Sequence, residues 1–185
     1  MIYWRKVDAG DFKSYAPKIL EYFHNIYLPN KIIDKWSNSF WNPIPLTDIK
    51  IYFPELILDT EVYGTIKEAS ILFLTSDTST LHIDHTIGLN VGVEARLNIP
   101  LINTIGSITA FYTDLEKYSF NTSPGGTKSW STHLKYELTP VTSVELTQPT
   151  ILRVSAPHSV LAKNGVFPRI ALTLSFHEDI VKFLI

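Results

Sequence analysis

The sequence predicts a mainly β fold, a sandwich, jelly roll or barrel preceded by a helical first third. Three observations carry that prediction. From about residue 67 the chain breaks into short strand-like runs separated by turn signals. Within several of these runs apolar and polar residues alternate, the period-two mark of a sheet with two unlike faces. Ahead of them, one stretch repeats its apolar residues at helical spacing.

That helical stretch comes first. Asp11 stands where an N-cap is expected, and Phe12, Tyr15, Ala16, Ile19, Leu20 and Phe23 then follow an i, i+3, i+4, i+7 pattern. The helix must end before Pro29, and its apolar stripe needs a surface to cover, for which a sheet is the natural partner. A shorter helical piece is expected from Ile32 to Trp36, and the proline-rich stretch from Asn42 to Pro54 is expected to be irregular. The expected strands are Ala69–Thr75, Ser79–His85, Ala95–Ile102, Ser107–Tyr112, His133–Leu138, Ser143–Leu146, Thr150–Val154 and Arg169–Phe176. Asn121–Gly126 and Asn164-Gly165 read as turns.

Composition bounds the function. A chain of 185 residues suits one domain, here 1–185, with a helical or irregular part at 1–66 and a strand-rich core at 67–177. The chain is 45% hydrophobic and 18% charged, a globular balance. With 16 basic and 18 acidic residues the net charge is −2, and no basic block points to nucleic acid or an anionic membrane. No apolar run approaches the roughly 18 residues of a membrane span, and the N-terminus does not read as a signal peptide, so a cytoplasmic location is expected. Cysteine is absent. Any bound metal must therefore be held by His and carboxylate, which suits iron, manganese or zinc.

Such a ligand set can be assembled. In a strand, residues two apart share a face, so His82 and Asp84 of His82-Ile83-Asp84 point the same way while His85 points away. His158 follows Pro157, which restrains the backbone just ahead of it. Two imidazoles and one carboxylate make the facial triad of non-haem Fe(II) oxygenases, which leaves metal positions open for substrate groups and O₂. Further on, Arg169 opens a strand on which Ile170, Leu172, Leu174 and Phe176 form one apolar face. Arg169 shares the other face with Ala171, Thr173 and Ser175, small residues that leave room for a carboxylate ligand.

Taken together, His82, Asp84, His158 and Arg169 resemble, in order, the pattern of the Fe(II)/2-oxoglutarate-dependent dioxygenase superfamily. The resemblance covers roughly residues 67–177, and the segment from Ala95 to Asn103 looks like the matching strand of the aspartyl/asparaginyl β-hydroxylase-like branch. It implies a cupin-like double-stranded β-helix, with the N-terminal helices packed on one sheet. It implies iron on His82, Asp84 and His158, and 2-oxoglutarate with its far carboxylate on Arg169. Many members carry Ser or Thr two residues after that Arg; this chain has Ala171, so Thr173, Ser107, Thr109 or Tyr112 must stand in. Arg96 is expected to reach 2-oxoglutarate or an acidic substrate, or else to face solvent with Asn98.

The implied activity is hydroxylation of a small molecule, an amino acid or a protein side chain, with O₂ as the other partner. Two other classes fit less of the sequence. A cupin-like metalloenzyme without 2-oxoglutarate would have no use for Arg169. A metal-free β-sandwich binding module would leave the whole constellation unexplained. Trp4, Trp36 and Trp41 are expected to pack helices onto the sheet, Tyr112 and Trp130 to pack or to line a pocket mouth, and His133 and His177 to be structural or surface residues.

Overall fold

Outer-face hydrophobicity and inner-face polarity of one sheet organise the whole molecule. The computed structural model describes residues 1–27, 41–74, 79–84, 93–122, 128–131, 133–162 and 166–185. The strands are β1 (Trp4–Lys6), β2 (Trp41–Ile44), β3 (Ile66–Leu74), β4 (His82–Ile83), β5 (Arg96–Ile102) and β6 (Ser107–Phe111), then β7 (Phe120–Thr122), β8 (Lys128–Trp130), β9 (Thr142–Glu145), β10 (Thr150–Leu152), β11 (His158–Ala162) and β12 (Arg169–Phe176). They form two six-stranded antiparallel sheets, ordered β1-β10-β5-β12-β3-β2 and β7-β8-β4-β11-β6-β9. The chain passes from one sheet to the other at each step from β3 to β6, and again from β9 to β12.

One face of the first sheet is continuously apolar. Ile71 of β3, Leu97 and Ile99 of β5, Ile151 of β10 and Ile170, Leu172 and Leu174 of β12 are each fully buried. They cluster with Tyr15, Ile19 and Tyr22 of helix α1 (Phe12–Tyr22), Ile49 of α2 (Leu46–Tyr52) and Leu56 of α3 (Pro54–Thr60). Burial of each such aliphatic side chain contributes roughly 1.5–3 kcal/mol, which makes this face the main hydrophobic core. After α1 the chain continues in a wider π-type turn, Phe23–Tyr27. Asp11 does sit at the N-cap of α1, but its side chain makes no cap bond. Its backbone carbonyl instead accepts from Ser14 N and Ser14 Oγ.

The opposite face of that sheet is polar and equally buried. Register puts Arg169 opposite Leu74, Thr173 opposite Ser70 and Asn98, and Ser175 opposite Glu68, so these groups share one face. Arg96 lies opposite Leu152, and Asn98 opposite Thr150. This face looks at the second sheet, because Leu74 packs on Val160 of β11 and Leu152 clusters with Phe111 of β6. Ser70, Arg96, Asn98, Thr150, Arg169, Thr173 and Ser175 are all buried there. A fold that buries so many polar groups in one layer is keeping a site rather than a core.

Several expected elements come out differently. The segment read as a strand over His133–Leu138 is a helical turn, α4 (Leu134–Glu137). Leu134 and Leu138, four apart and so on one face of a helical turn as well as of a strand, both pack into the second sheet's cluster with Leu81 and Trp130. The stretch expected to be irregular holds β2 and α2. Pro43 is tolerated in β2 because that strand is an edge of its sheet. His158–Ala162 is a full strand that the sequence pattern did not announce. Among the described residues, Trp41 lies against Arg96, and Trp4 joins the cluster of Phe111 and Leu152. Within the described part of Ser79–His85, His82–Ile83 forms the strand. The helix expected at Ile32–Trp36, His85 and the Asn164-Gly165 turn lie outside the described residues, as does most of Asn121–Gly126. No described helix is long and apolar enough to cross a membrane.

Candidate metal centre

Two strands of the second sheet bring the three expected ligands together. β4 and β11 pair antiparallel with His82 directly opposite His158. Their rings lie 4.4 Å apart, centroid to centroid. Asp84 follows β4, with its backbone N–H held by the Val154 carbonyl, and its Oδ1 stands 3.3 Å from His82 Nε2. One ligand atom from each of His82, Asp84 and His158 can be chosen so that all lie within 4.8 Å of one another. The strand parity that paired His82 with Asp84 therefore holds in three dimensions.

Backbone carbonyls set the imidazole tautomers. His82 Nδ1 lies 2.7 Å from the Thr80 carbonyl and His158 Nδ1 lies 2.9 Å from the Ala156 carbonyl, the same two-residue reach back on each strand. A carbonyl can only accept, so each Nδ1 carries the hydrogen and each neutral ring turns an Nε2 lone pair outward. That arrangement orients histidines for a metal before any metal arrives. On its other side His158 meets Phe111, with ring centroids 5.9 Å apart, which walls the site with a hydrocarbon face.

The electrostatics suit a cation. Burial alone would raise the Asp84 carboxyl, but the His82 contact and the charges of His158, His82 and Arg96 outweigh it and pull it down to about 2. Burial and the neighbouring His82 push His158 down to about 4, so it is neutral and ready to ligate near pH 7. For His82 burial acts downward too, but the Asp84 carboxylate and the Thr80 carbonyl together raise it.

Arg169 faces the same inter-sheet space from the start of β12. It is 2% exposed, and its Nε and Nη1 have no partner among the described residues. Burial pushes it down to about 10, which still leaves it charged. Val160, two residues or about 6.6 Å along β11 from His158, packs on Leu74, the register partner of Arg169. The guanidinium thus enters the space near the Val160 end of β11, away from His158. Thr173 Oγ1 and Ser107 Oγ are likewise buried without partners among the described residues, and both face this space.

One expectation is overturned and one is narrowed. Tyr112 was expected to help at the co-substrate site, but it follows Phe111 onto the far face of the second sheet. There its hydroxyl meets Ser159 Oγ at 3.3 Å and its ring joins Leu81 and Trp130. Tyr112 and Trp130 line a cavity of about 520 Å³ that includes Ile83 and Pro157 but none of the triad. Arg96 does not face solvent: it is 3% exposed and points inward with Asn98. Of the hydroxyl residues grouped by sequence, Thr173 and Ser107 are the ones buried with no hydroxyl partner among the described residues. His133 and His177 are exposed, as expected for surface residues.

No protein-family model matches the chain, and no curated protein sequence matches it. Solved structures do share its fold. HygX from Streptomyces hygroscopicus, crystallised with nickel and 2-oxoglutarate bound, superposes with a TM-score of 0.58 at 10% identity, over 94% of this chain and 81% of that one. HygX with iron bound gives 0.54 at 11% identity, over the same shares. The epimerase SnoN, in complex with Fe³⁺, alpha ketoglutarate and nogalamycin RO, gives 0.54 at 12% identity, over 99% of this chain and 84% of that one. At these identities the likeness is one of fold.

Proposed function

We propose that this protein is a non-haem Fe(II) oxygenase that uses 2-oxoglutarate as co-substrate. One observation carries the reading: His82, Asp84 and His158 converge within ligand distance in the inter-sheet space that also holds the buried Arg169, whose Nε and Nη1 have no partner among the described residues. A His₂–carboxylate set with open positions suits iron, and a guanidinium with unmet N–H groups suits a carboxylate. Iron in structures of HygX and SnoN, and 2-oxoglutarate in both, support the reading. So does the strand order, which we read as a double-stranded β-helix with β3 to β6 and β9 to β12 as its eight core strands and the helices on its outer face. Placement in the aspartyl/asparaginyl branch rests only on the β5 segment.

In this reading His82, Asp84 and His158 hold the iron, and Arg169, helped by the Thr173 and Ser107 hydroxyls, holds the far carboxylate of 2-oxoglutarate. Ala171 leaves the space in which the co-substrate chain lies. When bound, the iron supplies O₂ activation coupled to oxidative decarboxylation of the 2-oxo acid. The protein orients the groups and excludes water, with Phe111 and Val160 as apolar walls. The substrate is read as a small molecule or an amino-acid side chain, and hydroxylation as its fate. SnoN is an epimerase, so the fold carries other outcomes as well.

Anaerobic addition of Fe(II) and then 2-oxoglutarate is expected to produce a weak visible metal-to-ligand charge-transfer band. Metal-loaded protein that gives no band with saturating 2-oxoglutarate would count decisively against this function.

Metal binding is also expected to depend on pH with a defined sign. The ligand-free protein holds a proton on His82 above the ordinary imidazole value of 6.5, and a metal must displace it. Affinity for Ni(II) or Fe(II) should therefore rise with pH, by up to about tenfold per unit for one proton released. It should level off once the pH exceeds the raised His82 value. Calorimetry in buffers of different ionisation enthalpy counts the protons; no release near pH 6.5 would contradict the His82–Asp84 coupling.

A further inference from the structure

Arg96 is a second buried cation in the same space, and the functional reading above gives it no work. It projects from β5 across the polar face of the first sheet. Its Nη2 donates to Glu68 Oε2 at 3.0 Å, and its Cζ lies 4.6 Å from the Trp41 ring centroid. Glu68 Oε2 also accepts from Ser175 Oγ at 3.3 Å, so the partner of Arg96 is itself tied down. Stacked on an indole and anchored to a carboxylate, the guanidinium is held in place. Yet Nε and Nη1 are buried with no hydrogen-bond partner among the described residues. The nearest anion to Nε is Asp84 Oδ2 at 3.9 Å, an ion pair too long for a hydrogen bond.

Unmet donors on a buried charge are costly, and a fold keeps them where a ligand completes them. Position says which ligand. Arg96 stands beside Asp84 Oδ2, whereas the other carboxylate oxygen, Oδ1, is the one near His82. Arg169 lies at the other end of β12, opposite Leu74, whereas Glu68 and its bound Arg96 lie beside Ser175. The two arginines thus enter the inter-sheet space from opposite ends of one strand, with the triad at the Arg96 end. A dicarboxylate lying there has a cation at each end.

We infer that Arg96 grips the metal-end carboxylate of the 2-oxo acid, so that Arg96 and Arg169 bracket the co-substrate. This inference rests on the 2-oxoglutarate reading and deepens it. A substrate carboxylate is the rival occupant, and the two are separable.

The test is anaerobic titration of the Fe(II)-loaded full chain with 2-oxoglutarate and, separately, with pyruvate, which has the metal-end carboxylate and keto group but no far carboxylate. Arg96→Gln is expected to weaken both ligands by about 10- to 100-fold, the loss of a charge-assisted hydrogen bond. Arg169→Met should weaken 2-oxoglutarate alone. Arg96→Lys should recover part of the loss, because charge remains while the planar donors do not. Glu68→Gln removes the competing carboxylate and is expected to tighten 2-oxoglutarate binding severalfold. A purely structural role for Arg96 predicts the reverse, since loosening Arg96 would then weaken the site. This second variant decides the matter if Arg96→Gln does not fold.

Unchanged affinity of Arg96→Gln for both 2-oxo acids, with iron bound as in the parent, overturns the inference and leaves a substrate anion as the ligand of Arg96. A parent protein that binds iron but neither 2-oxo acid overturns the functional reading itself.

Discussion

His158→Ala is expected to abolish stable iron binding. The substitution removes one of three ligands, and no other histidine takes its place among the described residues, since His24, His133 and His177 are exposed and belong to no ligand group. Loss of a supporting group around a bound metal typically costs 10- to 100-fold in affinity, and loss of a ligand costs more. The fold should survive. His158 lies between the His82 and Phe111 rings, and the space left by an imidazole costs about 1–3 kcal/mol. His158→Gln fills more of that space and serves as a second variant. Metal content after dialysis and Ni(II) calorimetry measure the effect, with circular dichroism as the folding control. A variant that keeps parental affinity would reassign the ligands.

Arg169→Met is expected to have two opposite effects. Binding of 2-oxoglutarate should weaken by about 2–5 kcal/mol, because the far carboxylate is left buried without its charged partner. That is roughly thirty- to several-thousand-fold. Iron affinity should not change, because no ligand to the metal is touched. Meanwhile the ligand-free protein should become more stable, or at least no less so. Arg169 is charged and fully enclosed, its Nε and Nη1 unpartnered, and replacing such a group with an apolar side chain of similar length removes a desolvation cost. Thermal melts of the metal-free variant and parent, beside charge-transfer titrations, read both effects. A destabilised variant with unaltered 2-oxoglutarate affinity would make Arg169 a structural residue.

How much of this was legible beforehand varies by residue. The pairing of His82 with Asp84 followed from strand parity, which is a local property. The two faces of β12 followed from the same alternation, and the structure keeps every residue on its expected face. Other features were illegible for identifiable reasons. The strand β11 begins immediately after Pro157 and lacks clear alternation, so its existence depends on β4 and β6 on either side. Leu134 and Leu138 satisfy a helical turn, yet the short segment between them also fits a strand pattern; packing against Leu81 and Trp130 selected the helix. Tyr112 looked like a candidate for the co-substrate site because alternation separates the two faces of β6 but does not say which one meets the first sheet.

Local chemistry by itself determined the mainly β character, the candidate ligands and the polar face that carries Arg169. These depend on residue type and on the period-two geometry of a strand, both of which are written along the chain. Contacts between distant segments settled the rest. They set His82 opposite His158, turned Arg96 from a possible surface residue into a buried cation beside Asp84, and moved Tyr112 to the far side of the second sheet. The physical reason is that burial and the strength of a charge depend on what packs around a group. Those neighbours come from strands far apart in sequence, joined only when the two sheets close on each other.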